Sequence, residues 1–164
     1  MTMSNNKSIY VCSRRQAINF QPEQFHGSLC ISIGNGRQDD VRLVNRLTEK
    51  FSHVLRLRFD DIECEIETMQ AFNRNLAFEI LNSVNFINED SEVLIHCEGG
   101  ISRSVAIGFF LSKLLNRNLI LHAASDHTRM NRLVLKCLKS AYLYHRLRRF
   151  KLPSYEVISL QPKF

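Results

Sequence analysis

The sequence predicts an α/β fold in which a central sheet is covered by helices. Short apolar runs that are typical of strands occur early in the chain and again near residue 93, and amphipathic stretches with helical spacing alternate with them. Such alternation is typical of a sheet whose strands are connected through helices. At 164 residues the chain is long enough for one core, so we expect a single domain over residues 1–164, with irregular ends at 1–7 and 152–164.

Four segments are predicted to be strands: residues 9–12, 29–33, 54–59 and 92–96. The third alternates apolar and basic side chains from Leu55 onward, as a half-exposed strand does. The fourth has an apolar run at Val93, Leu94 and Ile95 and is predicted to be buried. It is therefore the best candidate for the centre of the sheet.

Four helices are predicted at residues 39–50, 66–87, 103–116 and 132–147. In the first, Val41, Val44 and Leu47 are expected to face inward. The stretch 66–87 has the clearest amphipathic pattern, and Met69 and Phe72 are assigned to the core there. Residues 14–25 are predicted to form a loop or a short helical turn, and residues 119–129 show no decisive pattern.

Composition and charge limit the classes of function. A net charge of +6 and a pI near 9.3 favour anionic partners such as phosphopeptides, phosphoinositides or RNA. No apolar run is long enough to cross a membrane, so no membrane insertion is expected. The five cysteines are an odd number and lack metal-type spacing, which favours a reducing, cytoplasmic compartment. The histidines lack such spacing too, so no metal is predicted.

The chain is organised around residues 92–108, which read EVLIHCEGGISRSVAIG. They predict a buried strand, a loop with two glycines and then a helix that starts at Arg103, with Cys97 where the strand becomes the loop. Such a loop directs backbone N–H groups at one point, and the helix dipole adds partial positive charge there. The stretch therefore predicts an anion-binding loop that holds a cysteine and an arginine.

Each residue of this loop has a chemical role if the anion is a phosphoryl group. A thiol attacks efficiently at neutral pH only when positive potential lowers its pKa, and a helix N-terminus supplies that potential to Cys97. Arg103 offers a rigid fork of donors for two phosphate oxygens. The loop amides bind further oxygens, and the candidate binding residues are Glu98, Gly99, Gly100, Ile101 and Ser102 together with Arg103. Ser104 is placed to hydrogen-bond the sulfur and to stabilise it as a leaving group.

The sequence His96-Cys97, five residues and Arg103-Ser104 resembles the signature of the cysteine-dependent protein tyrosine phosphatases, and within them the small dual-specificity type. The resemblance implies a mixed, mainly parallel sheet flanked by helices. It also implies hydrolysis of phosphotyrosine, and of phosphoserine and phosphothreonine as further candidates, through a cysteinyl-phosphate without any cofactor. His96 is expected to support Cys97 through loop hydrogen bonds and not to act as a base.

The reaction also needs an acid that protonates the departing oxygen. Asp60 and Asp61 lie in a loop position after a predicted strand, and residue chemistry alone leaves both open. The resemblance favours Asp61, because Phe59-Asp60-Asp61 is similar to a family segment in which the second aspartate is the acid. We expect the same carboxylate to activate the water that hydrolyses the intermediate.

Two other interpretations remain at this stage. The same chemistry serves phosphatases of RNA 5′-phosphates or phosphoinositides, and a phosphate-binding module could recognise phosphoproteins without turnover. Nucleic acid is the less favoured partner, because the basic residues are spread along the chain and no RNA-binding module is recognisable. The predicted partner is a phosphorylated protein, and the sequence gives no indication of oligomeric state.

Overall fold

The computed structural model describes residues 7–35, 41–122 and 127–149. Its five described strands form one sheet in the order β3-β2-β4-β1-β5, and every neighbouring pair is parallel. The strands are β1 (Ile9–Ser13), β2 (Leu29–Gly34), β3 (His53–Arg58), β4 (Val93–Cys97) and β5 (Leu119–Leu121). Because all five run in one direction, their carboxyl ends meet at one edge of the sheet, which is called the site edge below.

Helices cover both faces of this sheet. They are α1 (Arg14–Ala17), α2 (Val41–Thr48), α3 (Arg74–Ser83), α4 (Arg103–Leu115) and α5 (Arg132–Arg149). One core cluster joins α3, α4 and α5 to one face, and a smaller cluster joins α1 and α2 to the other. Successive residues of β4 alternate between these clusters, as the two-residue period of a strand requires. Burial on both faces explains the unbroken apolar run of this strand.

The structure confirms the α/β class but not the mixed sheet, since all strand pairs among the described residues are parallel. The four predicted strands are present within one or two residues of their expected ends. A fifth strand, β5, was not predicted. It has only three residues and pairs with β1 at the edge of the sheet, so its sequence carries too short a pattern to recognise.

The prediction of one helix over residues 66–87 is wrong at its start. The helix α3 begins at Arg74, where Asn73 caps it by accepting hydrogen bonds from the backbone N–H groups of Asn75 and Leu76. Residues 66–73 are irregular, and a 3₁₀ turn at Val84–Phe86 ends the segment. Met69 is 40% exposed and is therefore not a core residue, whereas Phe72 is buried as predicted.

The remaining helices follow the prediction more closely. Within α2, Val44 and Leu47 are buried, but Val41 is exposed and Leu43 takes its place in the core. The helices α4 and α5 begin where expected, and α5 ends two residues later than predicted. The predicted irregular ends lie almost wholly outside the described residues, as do positions 39 and 40 of the second predicted helix. No helix in the described parts of the chain is both long and apolar enough to span a bilayer.

Candidate active site

Cys97 lies at the site edge, as the last residue of the central strand. Its neighbours in the sheet are the buried strands β1 and β2, and the residue itself is almost completely buried. The chain turns there into the loop that leads to α4. Residues 97–103 are called the signature loop below.

Gly100 determines how closely the signature loop approaches the sheet. Its φ of 69° lies in the left-handed region, which glycine adopts without the penalty that a side chain would bring. A Cβ atom at this position would lie 2.4 Å from the carbonyl carbon of Cys12 and 2.5 Å from the backbone nitrogen of Ser13. Only glycine therefore lets the loop pack against the carboxyl end of β1. Gly99 is exposed, and a Cβ there would make only ordinary contacts.

The helix α4 starts without a side-chain cap. Ser102 occupies the N-cap position, but its hydroxyl donates to Asp61 Oδ1 at 2.8 Å instead of accepting from the helix. The first N–H groups of a helix have no carbonyl partner within it, and a serine cap normally satisfies one of them. Because the Ser102 hydroxyl is engaged elsewhere, this helix N-terminus is suited to bind an anion.

Arg103 is held in place by one side of its guanidinium group. Nη1 donates to the Phe59 carbonyl at 2.8 Å and to Asn35 Oδ1 at 2.9 Å, with a longer contact of 3.4 Å to the Gly34 carbonyl. The side chain is 4% exposed, and its buried Nε has no hydrogen-bond partner among the described residues. A buried N–H without a partner is costly, so this nitrogen is a candidate donor to a bound oxyanion.

Ser104 contacts the sulfur as the sequence predicts. The Cys97 Sγ and Ser104 Oγ atoms are 3.1 Å apart, and both residues are buried. A hydroxyl at this distance can donate to a sulfur that carries negative charge. The predicted geometry for stabilising a thiolate is therefore present in the first turn of α4.

The two candidate acids have different surroundings. Asp60 is bound to the backbone of Gln70, since its N–H donates to the Gln70 carbonyl and its Oδ2 accepts from the Gln70 N–H. Asp61 instead contacts the signature loop through Ser102, and the same Oδ1 accepts from Asn131 Nδ2 at 2.8 Å. Its other oxygen, Oδ2, makes no hydrogen bond with the described residues, and the residue is exposed. Asp61 thus lies at the loop with one free oxygen, whereas the Asp60 carboxylate is used to fix the backbone.

Three groups that shape this site were not assigned from the sequence. Asn131 is buried and holds Asp61, and its backbone N–H also contacts the Ser102 carbonyl. The Asn35 side chain and the Phe59 carbonyl anchor Arg103. The turn residues after β2 and the pair Met130-Asn131 are visible in the sequence, but nothing in it shows that they reach this edge.

His96 is buried just before Cys97, and neither ring nitrogen has a hydrogen-bond partner of normal geometry among the described residues. Burial lowers its pKa to about 4, the nearby Arg14 adds to that effect, and the Cys97 backbone and Glu98 oppose it. The ring is therefore neutral at pH 7. It adjoins a cavity of about 30 Å³, enough for one water molecule.

Glu98 contributes its backbone to the signature loop, whereas its carboxylate forms an ion pair with Arg14. Its carbonyl accepts from the Arg14 N–H at 3.3 Å, and its side chain pairs with the Arg14 guanidinium at 3.1 Å. This exposed pair offsets the negative charge that follows the cysteine. Gly99, Ile101 and Ser102 complete the loop and are exposed or partly exposed.

These residues form one site at the carboxyl end of the central strand. A buried thiol, an arginine with a free buried N–H, a helix N-terminus and an exposed carboxylate all lie on or against the signature loop. Within the described residues, no group of histidine, cysteine, aspartate and glutamate side chains could hold a metal ion. No family model, no curated protein and no solved structure matches this chain.

Proposed function

We propose that the protein is a cysteine-dependent protein phosphatase of the small dual-specificity type, with phosphotyrosine as its substrate and phosphoserine and phosphothreonine as further candidates. The observation that carries the proposal is the hydrogen bond between Asp61 and Ser102. It brings an acid from a segment 41 residues away in sequence to the loop that holds the thiol and the arginine.

In the first step, the Cys97 thiolate attacks phosphorus, and the bond between phosphorus and the phenolic oxygen breaks. Arg103 Nε and the amides of the signature loop bind the equatorial oxygens, where charge is greatest in the transition state. Asp61 gives its proton to the departing oxygen, so the dephosphorylated side chain leaves as a neutral alcohol. The product on the protein is a cysteinyl-phosphate.

In the second step, the Asp61 carboxylate takes a proton from a water molecule that attacks phosphorus. The bond between sulfur and phosphorus breaks, and inorganic phosphate is released. Ser104 donates a hydrogen bond to the departing sulfur, as its 3.1 Å separation from Cys97 Sγ allows. The thiolate is restored without any cofactor. Because oxidation would silence this thiolate, the mechanism requires a reducing compartment.

A substrate panel tests this function. The panel contains an aryl phosphate, the three phosphopeptide types, phosphoinositides and 5′-triphosphorylated RNA, and phosphate release is measured with the wild-type protein and with Cys97→Ser. We expect turnover of the aryl phosphate and the phosphotyrosine peptide, and none in the serine variant, because a hydroxyl replaces the thiolate. Cys137→Ser is the matched control, since that thiol is free, partly buried and outside the signature loop. Turnover by Cys97→Ser would exclude the mechanism.

A further inference from the structure

A groove lies beside the candidate site and has no role in the proposed mechanism. Residues 64–67 and 69–73 line it together with Leu133, and it has a volume of about 780 Å³. Pockets that enclose whole ligands have roughly 300–1,000 Å³, so this groove has room for several side chains of a bound peptide. Residues 60–73, which form most of its wall, are called the acidic segment below.

The acidic segment starts and ends next to the site. The paired hydrogen bonds between Asp60 and Gln70 close it into a loop, so Gln70 lies beside the residue that precedes Asp61. At the groove floor, Phe72 packs edge-on against Phe59 with ring centroids 4.8 Å apart. The Phe59 carbonyl in turn binds Arg103. These contacts place the groove next to the signature loop.

The groove wall presents apolar surface to solvent. Ile66 and Met69 are 41% and 40% exposed, although both are large apolar side chains. The buried Phe72 and the partly buried Leu133 of α5 line the same groove. Apolar surface of this kind gains free energy when another apolar side chain covers it.

The charge of this wall is opposite to that of the protein. The chain carries +6 overall, yet the acidic segment contains five carboxylates and no lysine, arginine or histidine. Glu63 accepts a hydrogen bond from the Arg132 N–H at the start of α5. Glu65 and Glu67 are exposed and have no ion-pair partner among the described residues. Two unpaired carboxylates therefore face any chain that occupies the groove.

We propose that this groove binds the residues that flank the phosphorylated side chain of a protein substrate, with a basic flanking side chain at Glu65 and Glu67 and an apolar one against Ile66 and Met69. The proposal rests on the proposed function and gives it a substrate class. A lysine or arginine complements the carboxylates, whereas the further phosphates of RNA or of a phosphoinositide are repelled by them. The groove thus favours basic phosphoproteins over polyanionic substrates.

The test uses phosphotyrosine peptides of one length whose flanking residues are basic, neutral or acidic. Each peptide is made in two forms, with either leucine or serine at one further flanking position. The dissociation constant is measured on Cys97→Ser, which needs no turnover, and kcat/KM is measured on the wild-type protein. We expect the basic peptide to bind at least about fivefold more tightly than the acidic one, as for two exposed charge pairs. This preference should weaken at high salt.

Paired variants locate the preference. In Glu65→Gln/Glu67→Gln the basic and acidic peptides should bind equally, while hydrolysis of a small aryl phosphate stays unchanged. Glu49→Gln/Glu79→Gln makes the same change of net charge at two exposed glutamates outside the groove, and it should keep the preference. Ile66→Ser/Met69→Ser should remove the advantage of leucine over serine.

The outcomes distinguish the two proposals. If the aryl phosphate is hydrolysed but the three peptides bind alike, or the polyanions bind best, the groove proposal is overturned and the phosphatase remains. If no phosphate ester is hydrolysed but Cys97→Ser prefers basic peptides, the proposed reaction is overturned and the groove assignment stands. If neither hydrolysis nor phosphopeptide binding occurs, both are excluded.

Discussion

The signature loop and the acidic segment meet through the hydrogen bond between Ser102 and Asp61, but they are held in different ways. The signature loop is held against the sheet: Gly100 packs against the backbone of β1, and the Arg103 side chain donates to the carbonyl groups of Phe59 and Gly34. The acidic segment is exposed over most of its length, and backbone and side-chain hydrogen bonds at Asp60, Asp61 and Glu63 hold it.

Under the two proposals, this difference separates the residues that carry out the reaction from those that select the substrate. A loop that must bind a small tetrahedral anion has little freedom, because each donor has to lie within hydrogen-bond distance of an oxygen. A segment that contacts the flanks of a substrate needs only suitable charge and apolar area. Substitutions in the signature loop should therefore alter rate and stability strongly, and those in the exposed part of the acidic segment should alter substrate preference.

The largest graded effect is expected at Arg103. Arg103→Lys keeps the charge but loses the guanidinium donors that remain free to bind phosphate oxygens. The kcat should therefore fall on the order of a hundredfold to a thousandfold. Arg117→Lys is the matched control, because Arg117 also binds backbone carbonyls, those of Ser91, Asn88 and Glu89, outside the signature loop. Steady-state kinetics on an aryl phosphate give both values. A kcat of Arg103→Lys within a few fold of wild type would exclude this arginine from the transition state.

The second-largest effect is the expected difference in turnover between the Asp61 and Asp60 variants. Asp61→Asn keeps an oxygen that can accept from Ser102 and Asn131 but loses the transferable proton, so turnover of phosphotyrosine should fall about a hundredfold. An aryl phosphate with a good leaving group should lose much less. Asp60→Asn retains an acceptor for the Gln70 N–H and should show a small loss that is independent of the leaving group. If the two variants exchange these behaviours, Asp60 is the acid.

The neighbouring glycines test how the signature loop is fixed. Gly100→Ala places a Cβ against the β1 backbone at a positive φ, so the free energy of unfolding should fall by about 3 kcal/mol or more, and phosphate binding should fall with it. Gly99→Ala meets only ordinary contacts and should change stability by less than about 1 kcal/mol. Chemical denaturation with and without phosphate measures both quantities. Equal stability of the two variants would contradict the close approach of the loop to β1.

The smallest expected effect concerns the pH dependence of stability through His96. The pKa of His96 is about 4 in the folded protein, below its ordinary value of 6.5. Between pH 4 and pH 6.5 the His96 ring is therefore protonated more readily in the unfolded chain. Stability from this residue is complete above pH 6.5 and is lost as the pH falls towards 4, by about 2 kcal/mol between pH 8 and pH 5.

His96→Asn removes the titrating group and should flatten this part of the curve, even if the variant is less stable at pH 8. Denaturant unfolding at several pH values, with wild type as the reference, gives the comparison. An unchanged slope between pH 6.5 and pH 5 would mean that His96 is not the neutral buried group described here.

Residues 66–73 of the acidic segment, which were predicted to be helical and are irregular, show where sequence reasoning failed. Ile66 and Met69 have helical spacing with Leu76 and Ile80, so the apolar pattern favoured one helix from residue 66 onward. In the structure, Asn73 caps α3, and the hydrogen bonds between Asp60 and Gln70 close the preceding residues into a loop. The apolar spacing alone fits a helix, but the cap and these bonds determine that residues 66–73 are irregular.

The order of strand, loop and helix around Cys97 was predicted correctly because its physical requirements are local. A buried strand, two glycines and a helix start lie within 17 consecutive residues, and their order alone brings Cys97, Arg103 and Ser104 to one turn of chain. The α/β class followed for a similar reason, since periods of two and of about 3.6 residues can be read directly from neighbouring side chains.

Contacts between distant segments were decided only by the tertiary structure. Residue chemistry alone did not decide whether Asp60 or Asp61 is the candidate acid. In the fold, Asp60 hydrogen-bonds Gln70, whereas Asp61 hydrogen-bonds Ser102 and Asn131. It also placed Asn35 on Arg103 and set the exposed carboxylates of the acidic segment beside the site. These residues lie up to 70 positions apart, and only the packing of the parallel strands and α5 brings them to one edge.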